Sequence, residues 1–333
     1  MLNATEFKTI IDVVTRFPTE KSCHQYLASR RWNDGVMLCP HDGCGHDKAY
    51  VYKDGIRYKC CSCKRVFTAK TGTFMEASKL PTIKWFVSIY LFLHKKGISS
   101  IQLSKDIGCQ QKTAWFILCR LRTALGNEPV EKLEGVVEID ETFVGGKSRF
   151  KHKNKRPKYN PGRGWSDKTP VLGMLEREES TIIKRPNKVV EGKLVKEKVI
   201  TKPAKLKAIV IPNVLMLTLK KTVLRNVKGG SDLMGDGFNG YRALEPAYNL
   251  QCVDHGKGHY VEGNCHTNTL EGAWSQFKKT ITATYHKTTR KHLQKYVDEF
   301  TFRYNYRDLG AQKQLECVIA NMGCRIKYKD LVA

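Results

Sequence analysis

The sequence predicts a multidomain α+β protein: a small cysteine-bearing module, then a helical segment, then a larger α/β unit. Three observations predict it. Two cysteine pairs, Cys39/Cys44 and Cys60/Cys63, bracket a short alternating stretch within residues 1–76. Residues 77–128 carry apolar side chains at helical spacing. From residue 129 the apolar period drops to two, as in strands, and helices return towards residue 315, leaving 316–333 as a C-terminal tail. A chain of 333 residues is long enough for about two domains and for a sizeable core.

At the N-terminus, Phe7, Ile10, Ile11 and Val14 recur as one face of a short helix, and "PTEKSC" (18–23) reads as the opening of a second. Four residues separate Cys39 from Cys44, and two separate Cys60 from Cys63. Between the pairs, "AYVYKDGIRYKC" is two strands joined at Asp54-Gly55, a strong hairpin signal. Two knuckles around a hairpin make a zinc ribbon, with four thiolates set for a tetrahedral Zn2+. Its role is structural, because four protein ligands leave no open position for chemistry. The first knuckle is longer than the usual two-residue spacing, so Cys61, His41 and His46 stay open as substitute ligands.

"TIKWFVSIYLFLHKKG" (82–97) is apolar enough to be a buried helix ended by Gly97. A short helix, a turn at Gly108 and a longer helix follow, the last with Ala114, Trp115, Leu118 and Leu121 facing inward. This predicts a helix-turn-helix with Gln110, Gln111, Lys112 and Thr113 at the exposed start of the second helix, ready to meet DNA. An ordinary helical hairpin has the same pattern, and the charge balance favours DNA. "EGVVEIDETFVGGK" (134–147) then reads as a strand ending in a Gly-Gly turn. Two basic insertions interrupt the α/β unit, near 147–169 and 184–207, the second resembling a hairpin arm with Glu191-Gly192 near its tip.

Lys and Arg total 58 against 32 Asp and Glu, a formal charge of +26, which calls for a polyanionic partner. The longest apolar run, Trp85 to Leu93, is far short of the roughly 20 residues that span a bilayer. No secretory signal opens the chain. The reading is therefore a soluble protein of a reducing compartment that works on nucleic acid, without membrane attachment. Twelve cysteines in such a chain mean metal or burial rather than disulfides.

With acids scarce, their positions carry information. Asp140 ends the first strand of the α/β unit, and Asp236 lies in "GDGFNGY" after a later strand. Glu271 lies in "HTNTLEGAWSQFKK", where Leu270, Trp274, Phe277 and Ile281 form a helical apolar stripe. Seven residues on, Lys278 lies within about 20° of Glu271 around that helix. Taken alone the two are a spaced surface pair. Taken with Asp140 and Asp236, Glu271 completes a carboxylate set for Mg2+ or Mn2+, hard cations that prefer oxygen ligands. Glu138 shares a strand face with Asp140 and is expected to pair with a Lys or Arg, whereas Glu141 points away towards a solvated edge. Asp232 reads as a turn residue, and His255, His259 and His266 as loop histidines.

Across "RWNDGVMLCP", "CCSCKRVFTAKTGTFM", "VEIDETFVGGK", "GDGFNGY", "HTNTLEGAWSQFKK" and "EFTFRYNYR", in that order and over nearly the whole chain, the sequence resembles the DDE-type insertion-sequence transposases of the zinc-ribbon-bearing ISXO-like branch, relatives of the Merlin elements. The resemblance implies an RNase H-like core and Mg2+-dependent strand cleavage and strand transfer at the terminal inverted repeats of an element. It also implies a homodimer or larger assembly on double-stranded DNA, cytoplasmic and nucleoid-associated in a bacterium or nuclear in a eukaryote. Asp140 and Asp236 match the first two metal-binding acids. Glu271 with Lys278 matches the E-x6-K arrangement for the third, and Asn268 matches the asparagine often described in this branch. The alternative is a catalytically silent or domesticated DNA-binding descendant of a transposase, against which the intact acids stand.

Overall fold

The computed structural model describes residues 7–32, 34–94, 96–126, 131–146, 152–155, 168–186, 194–253 and 261–332. The chain divides into two compact units, residues 1–128 together with 308–333, and residues 129–307.

In the first unit, α1 (Ile10–Arg16) and α2 (Glu20–Arg31) begin at Thr9 and Thr19, whose hydroxyls accept the backbone N–H groups of Asp12 and Ser22 in capping boxes. The apolar face that the sequence puts on α1 is not the one that is buried. Phe7, Val13 and Phe17 are buried, whereas Ile10, Ile11 and Val14 are exposed by 40%, 75% and 45%. Two turns of helix bury only the side chains next to the flanking Phe anchors. Next comes an antiparallel sheet of β1 (Ala49–Val51), β2 (Arg57–Cys60) and β3 (Val66–Thr68). The turn falls at Asp54-Gly55: Gly55 has φ +67°, and the Asp54 carboxylate accepts the Ile56 and Arg57 N–H groups. Tyr58 and Phe67 stack under Trp32 from the end of α2, which gives this small sheet its core.

Helix α3 (Thr82–His94) is buried along most of its length. Glu20 accepts the Thr82 N–H and also the Lys70 ammonium, tying the start of α3 to both α2 and the chain after β3. Helix α4 (Ser100–Ile107) stops at Gly108, left-handed at φ +61°, and α5 (Gln111–Leu125) starts after a short turn. Gln110, Gln111 and Lys112 are exposed and Thr113 half-buried; Gln111 donates to Ser100, and the Lys112 ammonium lies over the Tyr328 ring.

The C-terminal stretch differs from the expected tail. The helix Ala311–Ala320 packs against α2 and α3, Glu316 pairs with Arg30 at 2.6 Å, and Met322 O accepts the Phe74 N–H. Buried Leu315, Val318 and Ile319 supply the reason, so the second unit ends at Arg307 rather than at residue 315.

The second unit is built on a five-stranded mixed sheet. Its strands are β4 (Val136–Val144), β5 (Thr169–Glu176), β8 (Lys205–Val210), β9 (Asp232–Gly235) and β10 (Asn249–Cys252), in the order β10-β9-β4-β5-β8. The first three form an antiparallel meander, and β9 and β10 run parallel to β4. Alternation sorts the two faces. Val137, Ile139, Leu172 and Met174 pack on α6 (Met216–Asn226) and on Tyr241 and Leu244. Val171, Leu175, Leu206 and Ala208 pack on α7 (Asn268–Thr280) and α8 (Leu293–Asn305). Two amides of α8 close the β8 edge, which would otherwise present free peptide groups: Gln294 bonds Val210 N and Ala208 O, and Asn305 bonds Leu206 N and O.

Between β5 and β8 stands a separate antiparallel hairpin of β6 (Glu179–Pro186) and β7 (Leu194–Lys202). The sequence put this arm at 184–207. It ends instead at Lys202, because Leu206 and Ala208 belong to the buried core strand. The arm's expected tip and most of the basic stretch 147–169 lie outside the described residues. Among the described residues, no helix is long and apolar enough to cross a membrane.

Candidate active site and zinc centre

The four cysteines meet. Cys39 and Cys63 sulfurs are 3.7 Å apart, Cys44 and Cys60 sulfurs 3.6 Å, and all four lie within 4.8 Å of one another. A tetrahedron of thiolates at ~2.3 Å from zinc has sulfur–sulfur edges of about 3.8 Å, so the set fits the ion. The knuckle backbone favours thiolates. The Arg65 N–H faces Cys63 and lowers it to about 6, and the His46 N–H lowers Cys44. Burial pushes Cys39 up to about 12 against the His41 N–H, a cost that a bound cation removes. Cys61, His41 and His46 are outside the cluster, which answers the doubt raised by the long first knuckle.

Asp140 lies in the middle of β4 rather than at its end, because pairing with β5 continues to Val144, and it stands opposite Gly173 on the face covered by α7. Asp236 follows the last residue of β9, the parallel neighbour of β4, and its carboxylate accepts the Phe238 N–H at 3.3 Å. Glu271 lies in the first turn of α7, exposed, with the buried Thr267 hydroxyl donating to its Oε1 at 3.0 Å. The helix reaches the sheet closely because residue 173 is glycine: a Cβ there would stand 2.4 Å from Trp274 Cζ2 and 2.9 Å from Leu270 Cδ1. Burial, reinforced by Asp236 and Glu141 and then by Glu271, raises the Asp140 carboxyl to about 8. Two strands and a helix thus concentrate negative charge around one half-buried acid, and the oxygen-only donor set suits a hard divalent cation. The acids are near enough to repel, yet they are not gathered to the 4.8 Å spacing of the cysteines. Asn268 and Lys278 are exposed on α7, at its first residue and in its last turn.

Several neighbours differ from expectation. Glu141 does sit on the face away from α7, but not at a solvated edge: Tyr241 donates to its carboxylate at 2.7 Å, and burial raises it to about 7. Asp232 begins β9 instead of making a turn and accepts the Asn249 amide at 2.7 Å. Glu138 is completely buried and pairs with Arg177 at 2.7 Å, the Lys-or-Arg partnership expected of it. His266 Nδ1 lies 3.4 Å from the same carboxylate, while His255 and His259 are outside the described residues. Sequence reading missed Gly173 and Arg177. An isolated glycine inside a strand was a usable sign of close backbone approach, whereas nothing in the local sequence singles out Arg177.

Four converging cysteines at a small sheet, and an α/β unit with one acid on a strand, a second just past the parallel neighbouring strand and a third on a helix packed over them, match the pattern expected of the DDE type of nucleic-acid recombinase. The chain belongs to the ISXO2-like transposase family: the ISXO2-like transposase domain matches residues 132–305, and the transposase zinc-ribbon domain matches residues 18–66. A relative from Halobacterium salinarum, described as "Uncharacterized protein in transposable element ISH50", is 29% identical over 299 residues, covering 87% of this chain and 92% of that protein. The solved "Crystal structure of the Mos1 Strand Transfer Complex" aligns at 12% identity with a TM-score of 0.20, over 72% of this chain and 78% of that one, a likeness too weak to carry an assignment.

Proposed function

We propose that the protein cuts and joins DNA at the ends of its own element, with Asp140, Asp236 and Glu271 holding Mg2+ or Mn2+. The observation that carries the reading is the half-buried Asp140 on β4 with Asp236 just past the neighbouring parallel strand and Glu271 in the first turn of α7, in a chain of this family. They are close enough that burial, then Asp236, Glu141 and Glu271, raise the Asp140 carboxyl to about 8. Removing that accumulation of charge requires protons or a cation. When bound, the divalent ions supply activation of the attacking water or 3′-hydroxyl and stabilisation of the leaving oxygen.

The chain's own residues do the rest. Asp140 and Asp236 supply oxygens from the rigid sheet. Glu271 supplies the third, since it is among the groups that raise Asp140, and Asn268 contacts DNA beside it. Lys278, about two turns further along α7, holds a backbone phosphate as a point charge. In the first unit, the zinc ribbon and the α4–α5 pair bind the terminal repeats, with Gln110, Gln111, Lys112 and Thr113 at the DNA. Two ends must be held at once, so the working form is a dimer or larger assembly on double-stranded DNA.

The test is a cleavage and strand-transfer assay on terminal-repeat DNA with Mg2+, with end binding measured in parallel. Asp140→Ala and Asp236→Ala are expected to abolish both reactions and leave binding intact; loss of binding would assign these acids to the fold instead. Glu271→Gln is expected to be dead and Asn268→Ala active. The reverse pattern would make the amide the third ligand and return Glu271 to an ordinary surface pair.

A further inference from the structure

We infer that Glu138 and Arg177 form a buried positioning pair that clamps the leading end of α7 to the sheet and so sets where Glu271 stands relative to Asp140. The inference rests on the catalytic reading above.

Glu138 lies two residues before Asp140 on the same face of β4, and its side chain is wholly buried. Both carboxylate oxygens are committed. Oε1 accepts from Arg177 Nε at 2.7 Å, and Oε2 accepts the backbone N–H of Leu270 at 2.9 Å. That N–H belongs to the first turn of α7, where helix geometry leaves donors without partners and favours a nearby negative charge. Glu271 is the next residue along. Arg177, just past the end of β5, spends its remaining donors on the chain leading into the helix. Its Nη1 bonds Asn264 O at 2.8 Å, and its Nη2 bonds His266 O at 2.8 Å. One ion pair therefore ties β4, the β5 end, the 264–266 backbone and the α7 N-terminus together.

A buried ion pair is weak evidence for stability, because hydrophobic residues of similar volume often serve as well. Its directional bonds are what an apolar pair lacks. Here those beyond the ion pair itself end on Asn264, His266 and Leu270, in the segment that carries Thr267, Asn268 and Glu271. Supports of this kind typically change metal affinity or activity about 10–100-fold when removed. Neither Glu138 nor Arg177 touches the reacting atoms in this scheme, so both are positioning residues.

The test uses the full chain carrying Glu138→Gln with Arg177→Met, which leaves no uncompensated buried charge, and separately Arg177→Lys, which keeps the charge but not the fork of donors. Four quantities are read: melting temperature, affinity for terminal-repeat DNA, Mn2+ affinity without DNA by electron paramagnetic resonance, and single-turnover cleavage at saturating DNA. The expected result is DNA affinity within about twofold of wild type, with Mn2+ binding and cleavage each weakened ~10–100-fold and Arg177→Lys intermediate. Wild-type Mn2+ affinity and cleavage in either folded variant would overturn the inference while leaving the catalytic reading intact. Mn2+ held equally well by wild type and by Asp140→Ala would sink the catalytic reading itself, and this inference with it.

Discussion

Gly173→Ala adds one methyl group on the β5 residue that faces Asp140 across the strand pair. The new carbon would stand 2.4 Å from Trp274 Cζ2 and 2.9 Å from Leu270 Cδ1. Carbon atoms make their best contact near 3.5 Å or beyond, so the indole lies about 1 Å too close. Trp274 and Leu270 are buried in the core between sheet and helix, and the indole has little room to rotate away. Helix α7 must therefore retreat, and Glu271 goes with it. Overpacking of this kind costs ~1–3 kcal/mol, or roughly 2–12 °C in melting temperature for a unit of this size. The catalytic cost is of similar size, because a 1 Å displacement of a reacting arrangement costs ~100-fold in rate, about 2.7 kcal/mol. Single-turnover cleavage at saturating DNA and a thermal melt measure the two effects. Adding Trp274→Leu removes the obstructing ring, and the double variant should lose less stability than the two single changes combined. A Gly173→Ala protein that melts and cleaves like wild type would refute the claim that close sheet–helix approach sets the site.

Replacing Cys60 and Cys63 by Ser should cost the protein its bound zinc and weaken end binding; unchanged zinc content by atomic absorption would remove the four-cysteine assignment. Binding to DNA should fall steeply with salt, by ~10³ or more between 50 and 200 mM if six or more phosphates are contacted, and a flat response would undo the polyanion reading. Asp298, on α8, offers a pH test. Burial raises its carboxyl from 3.8 to about 6, so the folded state holds this proton more tightly than the unfolded chain and stability declines between about pH 4 and pH 6. Asp298→Asn keeps an acceptor for the Gln294 amide and removes that slope. The variant should be more stable than wild type above pH 6, by at most roughly 3 kcal/mol at ~1.4 kcal/mol per pH unit. Identical melting curves at pH 7 would contradict the assignment.

The zinc ribbon was legible because its chemistry is local: knuckle spacing and an Asp-Gly turn specify a tetrahedral site within some 25 residues, and the four sulfurs converge as expected. The strand around Asp140 and the apolar stripe of α7 were legible for the same reason, since periods of 2 and 3.6 are written in neighbouring residues. The inner face of α1 was not, because Ile10, Ile11 and Val14 have the right spacing but no surface to meet.

The arm shows the limit in another form. Basic composition runs on from Lys202 into Lys205 and Lys207, and only the pairing of β8 with β5 reveals where hairpin stops and core begins. Sequence by itself determined the candidate ligand types, the order of the modules and a charge of +26 that calls for a polyanion. Tertiary structure alone decided which acids feel one another, that Glu141 turns to Tyr241, and that Glu138 and Arg177 lock the approach of α7. The physical reason is range. Helix and strand periodicity arises from bonds between near neighbours. The electrostatics of this site instead depend on burial and on contacts between residues as much as 132 positions apart, as between Glu138 and Leu270.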